Sequence, residues 1–132
     1  GKRPRSSMAP TIVVDADGAF RMATGSPGGN SIIAYTIKSL VGVLDWGLTP
    51  AEAVALPNVV ARGEPVRVER DRAPQALVDA LEAYGLAVDA SAGENSGLSV
   101  VVRRPDGTLE GGADPRREGT VGVPARTGMV VP

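Results

Sequence analysis

The chain has 132 residues, enough for one ordinary domain, and its hydrophobic fraction of 42% and charged fraction of 22% are near globular averages. A formal net charge of −1 gives no electrostatic footprint for nucleic acid or an anionic membrane, and no apolar run approaches the length of a membrane span. Cysteine and histidine are both absent, which excludes a disulfide framework, a thiolate nucleophile, a Ser-His-Asp triad and the usual zinc sites.

Nucleophilic chemistry within this composition needs Ser or Thr activated by lysine or by an N-terminal amine. Gly1 offers an amine but no nucleophilic side chain, so the chain alone holds no evident catalytic engine. Only 3% of the residues are aromatic, so aliphatic side chains must build the core. No charged segment followed by an apolar one opens the chain, so no secretory signal is visible.

Residues 1–10 are basic and proline-bearing and read as an extended loop. Thr11–Asp15 and Ala19–Thr24 read as strands around the turn Ala16-Asp17-Gly18. Asp15-Ala16-Asp17-Gly18 superficially resembles the opening of a calcium loop, but the further spaced ligands are missing and a hairpin turn is expected. The glycine-rich stretch Gly25–Gly29 leads into a helix whose predicted inner face is Ile33, Ile37, Leu40, Val41 and Leu44. Asn30 or Ser31 is expected to cap its start and Gly47 to follow its end, with Lys38 solvated on the polar side.

Thr49-Pro50-Ala51-Glu52 predicts a capping box and a short helix stopped by Pro57. Val66–Glu69 reads as a strand, and Pro74 starts a third helix with Leu77, Leu81 and Tyr84 on one face, ending at Gly85. Leu98–Arg103 and Thr108–Gly111 form a second hairpin around Pro105-Asp106-Gly107. Arg103-Arg104 is a strand-end pair, not a nucleic-acid patch. Trp46 and Tyr84 are expected to fill a core or interface. Beyond Asp114-Pro115-Arg116 no clear period remains, so 117–132 reads as a poorly assigned tail. Strands, helices and strands in this order indicate an α+β layered domain.

Two places carry candidate chemistry. Gly25-Ser26-Pro27-Gly28-Gly29 lies between a strand and a helix, where backbone N–H groups lack intrahelical partners and the helix dipole adds positive charge. Such a turn can hold an anion or a developing oxyanion; equally, the glycines can simply permit positive φ in a tight turn. The Gly-Lys-Ser/Thr ending of a nucleotide phosphate loop is absent. Ser6-Ser7, beside Lys2, Arg3 and Arg5, can bind a carboxylate through hydroxyl donors and nearby cations, or form local turns in a solvated basic loop.

Together, Gly1–Val13, with its Arg5-Ser6-Ser7-Met8, the Gly25–Gly29 turn and Ala113-Asp114-Pro115-Arg116 resemble the C-terminal part of the catalytic small subunit of a γ-glutamyltranspeptidase. The resemblance runs from Gly1 to about Arg116. It implies part of the four-layer αββα fold of N-terminal nucleophile hydrolases, without the strands that precede residue 1. It makes 1–132 one C-terminal fragment of the catalytic domain of a self-cleaving precursor. In that family a threonine attacks the γ-glutamyl amide of glutathione or a related compound, and the acyl group passes to water or to an amino acid or peptide acceptor.

On the resemblance, Ser6 and Ser7 match the serine pair at the glutamyl α-carboxylate, Met8 is a pocket wall, and the Gly28 and Gly29 N–H groups form the oxyanion hole. No cofactor or metal is implied. The implied partners are a γ-glutamyl substrate and the rest of the parent enzyme, its large subunit and the N-terminal part of the small one. The nucleophilic threonine belongs to the latter, so the chain alone is expected to be inactive. Bacterial relatives are usually periplasmic or secreted. Asn30-Ser31 departs from the family's common Ser-Arg pair, which bears on an acceptor-side contact. Two further readings stand beside this one: a non-catalytic half that docks on a partner chain or forms oligomers, and an acylase acting on cephalosporin side chains or poly-γ-glutamate.

Overall fold

A computed structural model describes residues 1–3, 6–91, 93 and 95–123. Arg5 of the serine motif and 124–132 of the tail lie outside the described residues.

The first hairpin forms as the sequence predicts. Strand β1 (Thr11–Val14) pairs antiparallel with β2 (Phe20–Gly25), Thr11 facing Thr24. Asp15 N–H donates to the Ala19 carbonyl at 2.8 Å, and Asp17 Oδ1 accepts from Ala19 N–H at 3.2 Å. These acidic side chains sit on a closed hairpin turn, with Asp17 bonded to the backbone two residues on as a turn-forming aspartate does.

Helix α1 (Ile32–Leu44) and helix α2 (Pro50–Ala55) follow. α2 has the full capping box: Thr49 Oγ1 accepts from Glu52 N–H at 3.2 Å and Glu52 Oε2 accepts from Thr49 N–H at 2.8 Å. Strands β3 (Val59–Val60), β4 (Val66–Val68) and β5 (Val88–Asp89) make a small sheet in that order, with α3 (Gln75–Ala83) bridging the parallel pair β4 and β5. Strands β6 (Ser99–Arg103) and β7 (Leu109–Ala113) close the second predicted hairpin. They extend the first sheet to the order β1-β2-β6-β7, antiparallel throughout. The class is α+β, as the element order implied.

Period-two alternation decides the core. Met22, Val100 and Val102 point to the face covered by Tyr35 and Val54, with Val60 and Leu98 completing the cluster. Ile12, Val14, Val101 and Leu109 stay exposed, so aliphatic side chains remain uncovered on this sheet.

The predicted inner face of α1 holds at Leu40 and Leu44, which pack against this core, and fails at its two isoleucines. Ile33 and Ile37 are 52% and 53% exposed, whereas Ile32, Tyr35, Thr36, Ser39 and Gly42 are buried. Close approach explains the rotation. Ser39 Oγ lies 2.7 Å from Thr24 Oγ1 on the sheet, and Gly42 packs against Ala53 of α2. Small and hydroxyl side chains admit that approach, which an isoleucine stripe would hold off. Trp46 and Tyr84 are exposed as well, at 63% and 86%.

A buried ion network joins the two sheets. Arg116 reaches Glu69, just after β4, through Nε to Oε1 at 2.7 Å and Nη2 to Oε2 at 2.6 Å. Its Nη1 reaches Asp114 Oδ1, just after β7, at 3.0 Å, and both Nη atoms donate to the Val54 and Leu56 carbonyls at the end of α2. Asp114 also accepts from Ser96 Oγ and Leu98 N–H, and Glu69 accepts from Asn58 N–H. Burial pushes both carboxyls up in pKa, but Arg116 and these donors outweigh it and hold Glu69 and Asp114 below their ordinary values.

Lys38 also differs from its predicted solvated state. Its Nζ donates to Leu56 O at 2.8 Å, beside the network. Burial, and then the Arg116 charge, lower its pKa to about 8. The folded protein therefore binds this proton more weakly than the unfolded chain, so stability must rise with pH from about 8 toward 10.5. Lys38→Met should flatten that rise in urea midpoints measured across the interval; an unchanged slope would contradict it. Arg116→Ala strands two buried carboxylates and should cost about 3–5 kcal/mol in urea unfolding at pH 7. A loss under about 1 kcal/mol, the scale of a surface pair, would show that the network carries little.

Candidate functional site

The glycine turn leaves β2 and enters α1 through a single turn of 3-10 helix, Gly29–Ser31. Gly28 has φ 139° and Gly29 φ 57°, both disfavoured for L side chains. A Cβ on Gly28 would stand 2.5 Å from Tyr35 Cε2, so the ring of α1 packs where a side chain would be. Gly29 has open space around its Cβ position. The Gly28 carbonyl accepts from Ser31 N–H at 3.2 Å and the Gly29 carbonyl from Ile32 N–H. Their own N–H groups have no acceptor among the described residues.

The predicted side-chain cap is absent. Neither Asn30 nor Ser31 caps α1; Ser31 is buried and its hydroxyl accepts from Arg67 Nη2 of β4 at 2.8 Å. Arg67 thus reaches the turn from the second sheet. Beside it lies a depression of about 340 Å³, lined by Gly28, Gly29, Tyr35, Arg67, Asn95 and Arg117 among others. Two arginines and the two glycines of the turn therefore line one small space.

Ser6, Ser7 and Met8 lie in the segment entering β1. Ser6 is exposed and its Oγ accepts from Met8 N–H at 3.3 Å, Ser7 is half-buried, and Met8 is 79% exposed. None of the three lines the depression. What they share with the glycines is an end of the sheet. Thr11 pairs with Thr24, and Gly25 with Ser99, so residues 6–10, 26–29, 95–98 and 114–117 all leave from that end. Pro10 Cα lies 3.8 Å from the Cβ position of Gly25.

Sequence reasoning missed Tyr35, Arg67, Asn95 and Arg117. Val66-Arg67-Val68 did carry a signal, since alternation turns the arginine away from the valine face. Arg117 directly follows the Asp114-Pro115-Arg116 motif, but nothing in the sequence ties it to the glycine turn. Among the described residues no cluster of three potential metal ligands occurs, and no helix is long and apolar enough to cross a membrane.

This arrangement, with helices on one face of an antiparallel sheet and loops gathered at one sheet end, has close counterparts. A γ-glutamyltranspeptidase from Pseudomonas nitroreducens, solved as its W525D mutant, superposes with a TM-score of 0.81 at 28% identity, covering 95% of this chain and 66% of that one. The glutathione hydrolase proenzyme of Escherichia coli (strain K12) is 44% identical over 117 residues, 87% of this chain and 20% of its own. The acylase ACY 1 proenzyme of Pseudomonas sp. (strain SE83) is 34% identical over 120 residues, 91% of this chain and 21% of its own. The gamma-glutamyltranspeptidase family profile matches residues 1–123, and the chain belongs to that family. It spans about a fifth of the length of these curated relatives.

The two glycines should respond differently to alanine. Gly29→Ala meets only the left-handed backbone cost, about 1 kcal/mol. Gly28→Ala adds a collision with Tyr35 and should lower the urea midpoint clearly further. Equal losses would contradict the role given to the Tyr35 ring.

Proposed function

We propose that this chain supplies the oxyanion-binding turn and the carboxylate-binding loop of a protein that transfers or hydrolyses γ-glutamyl groups of glutathione or related compounds. The observation that carries this reading is the Gly28-Gly29 turn. Its two N–H groups lack acceptors among the described residues and share a sheet end with the Ser6-Ser7 segment. Family membership supports reading these residues in those roles.

In this reading the nucleophile, a threonine in the family, comes from outside the 132 residues, and the chain by itself is inactive. Attack on the γ-carbonyl carbon moves the carbonyl electron pair onto oxygen. The Gly28 and Gly29 N–H groups then stabilise that oxyanion, a type of contact commonly worth a hundredfold or more in rate. Collapse breaks the C–N bond, the leaving amine takes a proton, and water or an amine acceptor releases the acyl group. Ser6 and Ser7 hold the glutamyl α-carboxylate through hydroxyl donors, and Met8 forms an apolar wall. Within this scheme the rest of the parent enzyme is the partner, and a periplasmic or extracellular setting follows the family's habit.

The complete parent protein should cleave γ-glutamyl-p-nitroanilide. Changing Ser6 and Ser7 together to Ala should raise KM about tenfold or more, the scale of one or two lost hydrogen bonds to a charge, with a smaller effect on kcat. An active parent indifferent to both changes would sink the serine assignment.

A second reading has its own support. Ile12, Val14, Val101 and Leu109 stay exposed on the first sheet, so the chain can act as a structural half that docks on a partner. Sedimentation of the chain as a stable monomer, indifferent to its large-subunit partner, would remove this reading. The similarity to an acylase proenzyme keeps cephalosporin-type donors in the same assay as a comparison.

A further inference from the structure

The Gly28 N–H belongs to the peptide unit that begins at the Pro27 carbonyl, and that carbonyl has a partner. Ser26 Oγ donates to Pro27 O at 2.7 Å. The same hydroxyl oxygen accepts from Gly97 N–H at 3.0 Å. A serine hydroxyl has a single proton; with Gly97 as donor to the oxygen, that proton goes to Pro27 O. Pro27 O and Gly28 N–H lie on opposite edges of one planar amide, so holding the carbonyl fixes the direction of the N–H. A hydrogen bond at the carbonyl also polarises the amide and strengthens its N–H as a donor. The next peptide is held alike: the Gly28 carbonyl accepts from Ser31 N–H at 3.2 Å, and its other edge carries the Gly29 N–H.

Gly97 is itself anchored from both sides. Ser96 Oγ and Leu98 N–H donate to the same oxygen, Asp114 Oδ2, the second at 3.2 Å. Asn58 Nδ2 donates to Ser96 Oγ at 3.0 Å, and Asn58, Ser96 and Asp114 are all buried. A Cβ on residue 97 would stand 2.8 Å from Pro27 Cγ, so glycine alone fits without displacing the ring. The loop that holds Ser26 therefore reaches the turn at close range and is fastened to the Arg116 network through Asp114.

Resting on the γ-glutamyl reading above, we propose that Ser26 is a positioning residue for γ-glutamyl transfer, aiming and strengthening the Gly28 N–H toward the developing oxyanion. It acts through one peptide bond, and the Gly97 N–H sets the orientation of its hydroxyl.

The test is Ser26→Ala in the complete parent protein, with γ-glutamyl-p-nitroanilide as donor. Formation and breakdown of the acyl-enzyme both pass through an oxyanion on the same N–H groups, so both steps slow together. The expected fall in kcat is about five- to tenfold, the scale of one neutral hydrogen bond and less than the loss of an oxyanion donor outright. KM depends on the ratio of the two steps and on the donor's contacts with Ser6 and Ser7, and should move by less than about twofold. Ser26→Thr keeps the hydroxyl and should recover most of kcat. An unchanged kcat in Ser26→Ala, or a threonine variant as slow as the alanine one, overturns the proposal. A rise in KM matching the fall in kcat would show that Ser26 only braces the loops at this sheet end, and failure of Ser26→Ala to fold would show the same; either result also overturns it. If the unaltered parent does not cleave the donor, the γ-glutamyl reading fails and takes this role with it. An active parent indifferent to Ser26→Ala removes the role alone.

Discussion

The Arg116 guanidinium is the fastening on which the two sheets depend. It meets Glu69 at the end of one strand of the small sheet, Asp114 at the end of the outermost strand of the large one, and the carbonyls that close α2. Neither carboxylate is accessible enough to be solvated on its own, so each requires the arginine, and the arginine requires both. The network is directional as well. A planar fork with five donors accepts few arrangements of its partners, and that fixes where the chain goes after β7. The next residue is Arg117, whose position beside the glycine turn is thereby inherited from a buried contact.

The same economy of parts explains how the candidate site is held. No single element contains it. Segments next to all four strands of the first sheet and one arginine from the second gather at a sheet end, and the sheet's hydrogen-bond register sets their spacing. The glycine turn is kept in its uncommon backbone conformation by the Tyr35 ring packed against Gly28 and by helix bonds to its carbonyls. A turn supported on both sides is a stable place from which to present N–H groups.

Much of this was legible in the residues. The two hairpins, the Thr49 capping box and the glycine turn were marked by side chains with strong local preferences, Asp-Gly, Pro-Asp-Gly and Thr-Pro-x-Glu. What could not be read depended on distant partners. The aliphatic stripe of α1 gave the correct period, yet the buried face was chosen by how closely Ser39 and Gly42 could approach β2 and α2. Lys38 looked like a surface residue because its carbonyl partners lie 16 and 18 positions away. The two-residue strands β3 and β5 are too short to show any alternation. Gly28, Gly29, Ser6 and Ser7 stood out because family resemblance joined them; Arg67, Asn95 and Arg117 had no such flag.

The hairpin of β1 and β2 acts as a ruler between the serine loop and the glycine turn. Thr11 is locked opposite Thr24, so only Met8, Ala9 and Pro10 separate Ser7 from a fixed point, and only four residues separate Thr24 from Gly29. Adding or deleting one residue in either short span would shift its motif by about 3.3 Å and, where the chain is extended, turn it to the opposite side. Side-chain identity at Ala9 can drift, but the length of the span from Met8 to Pro10 cannot, because distance there is counted in whole residues.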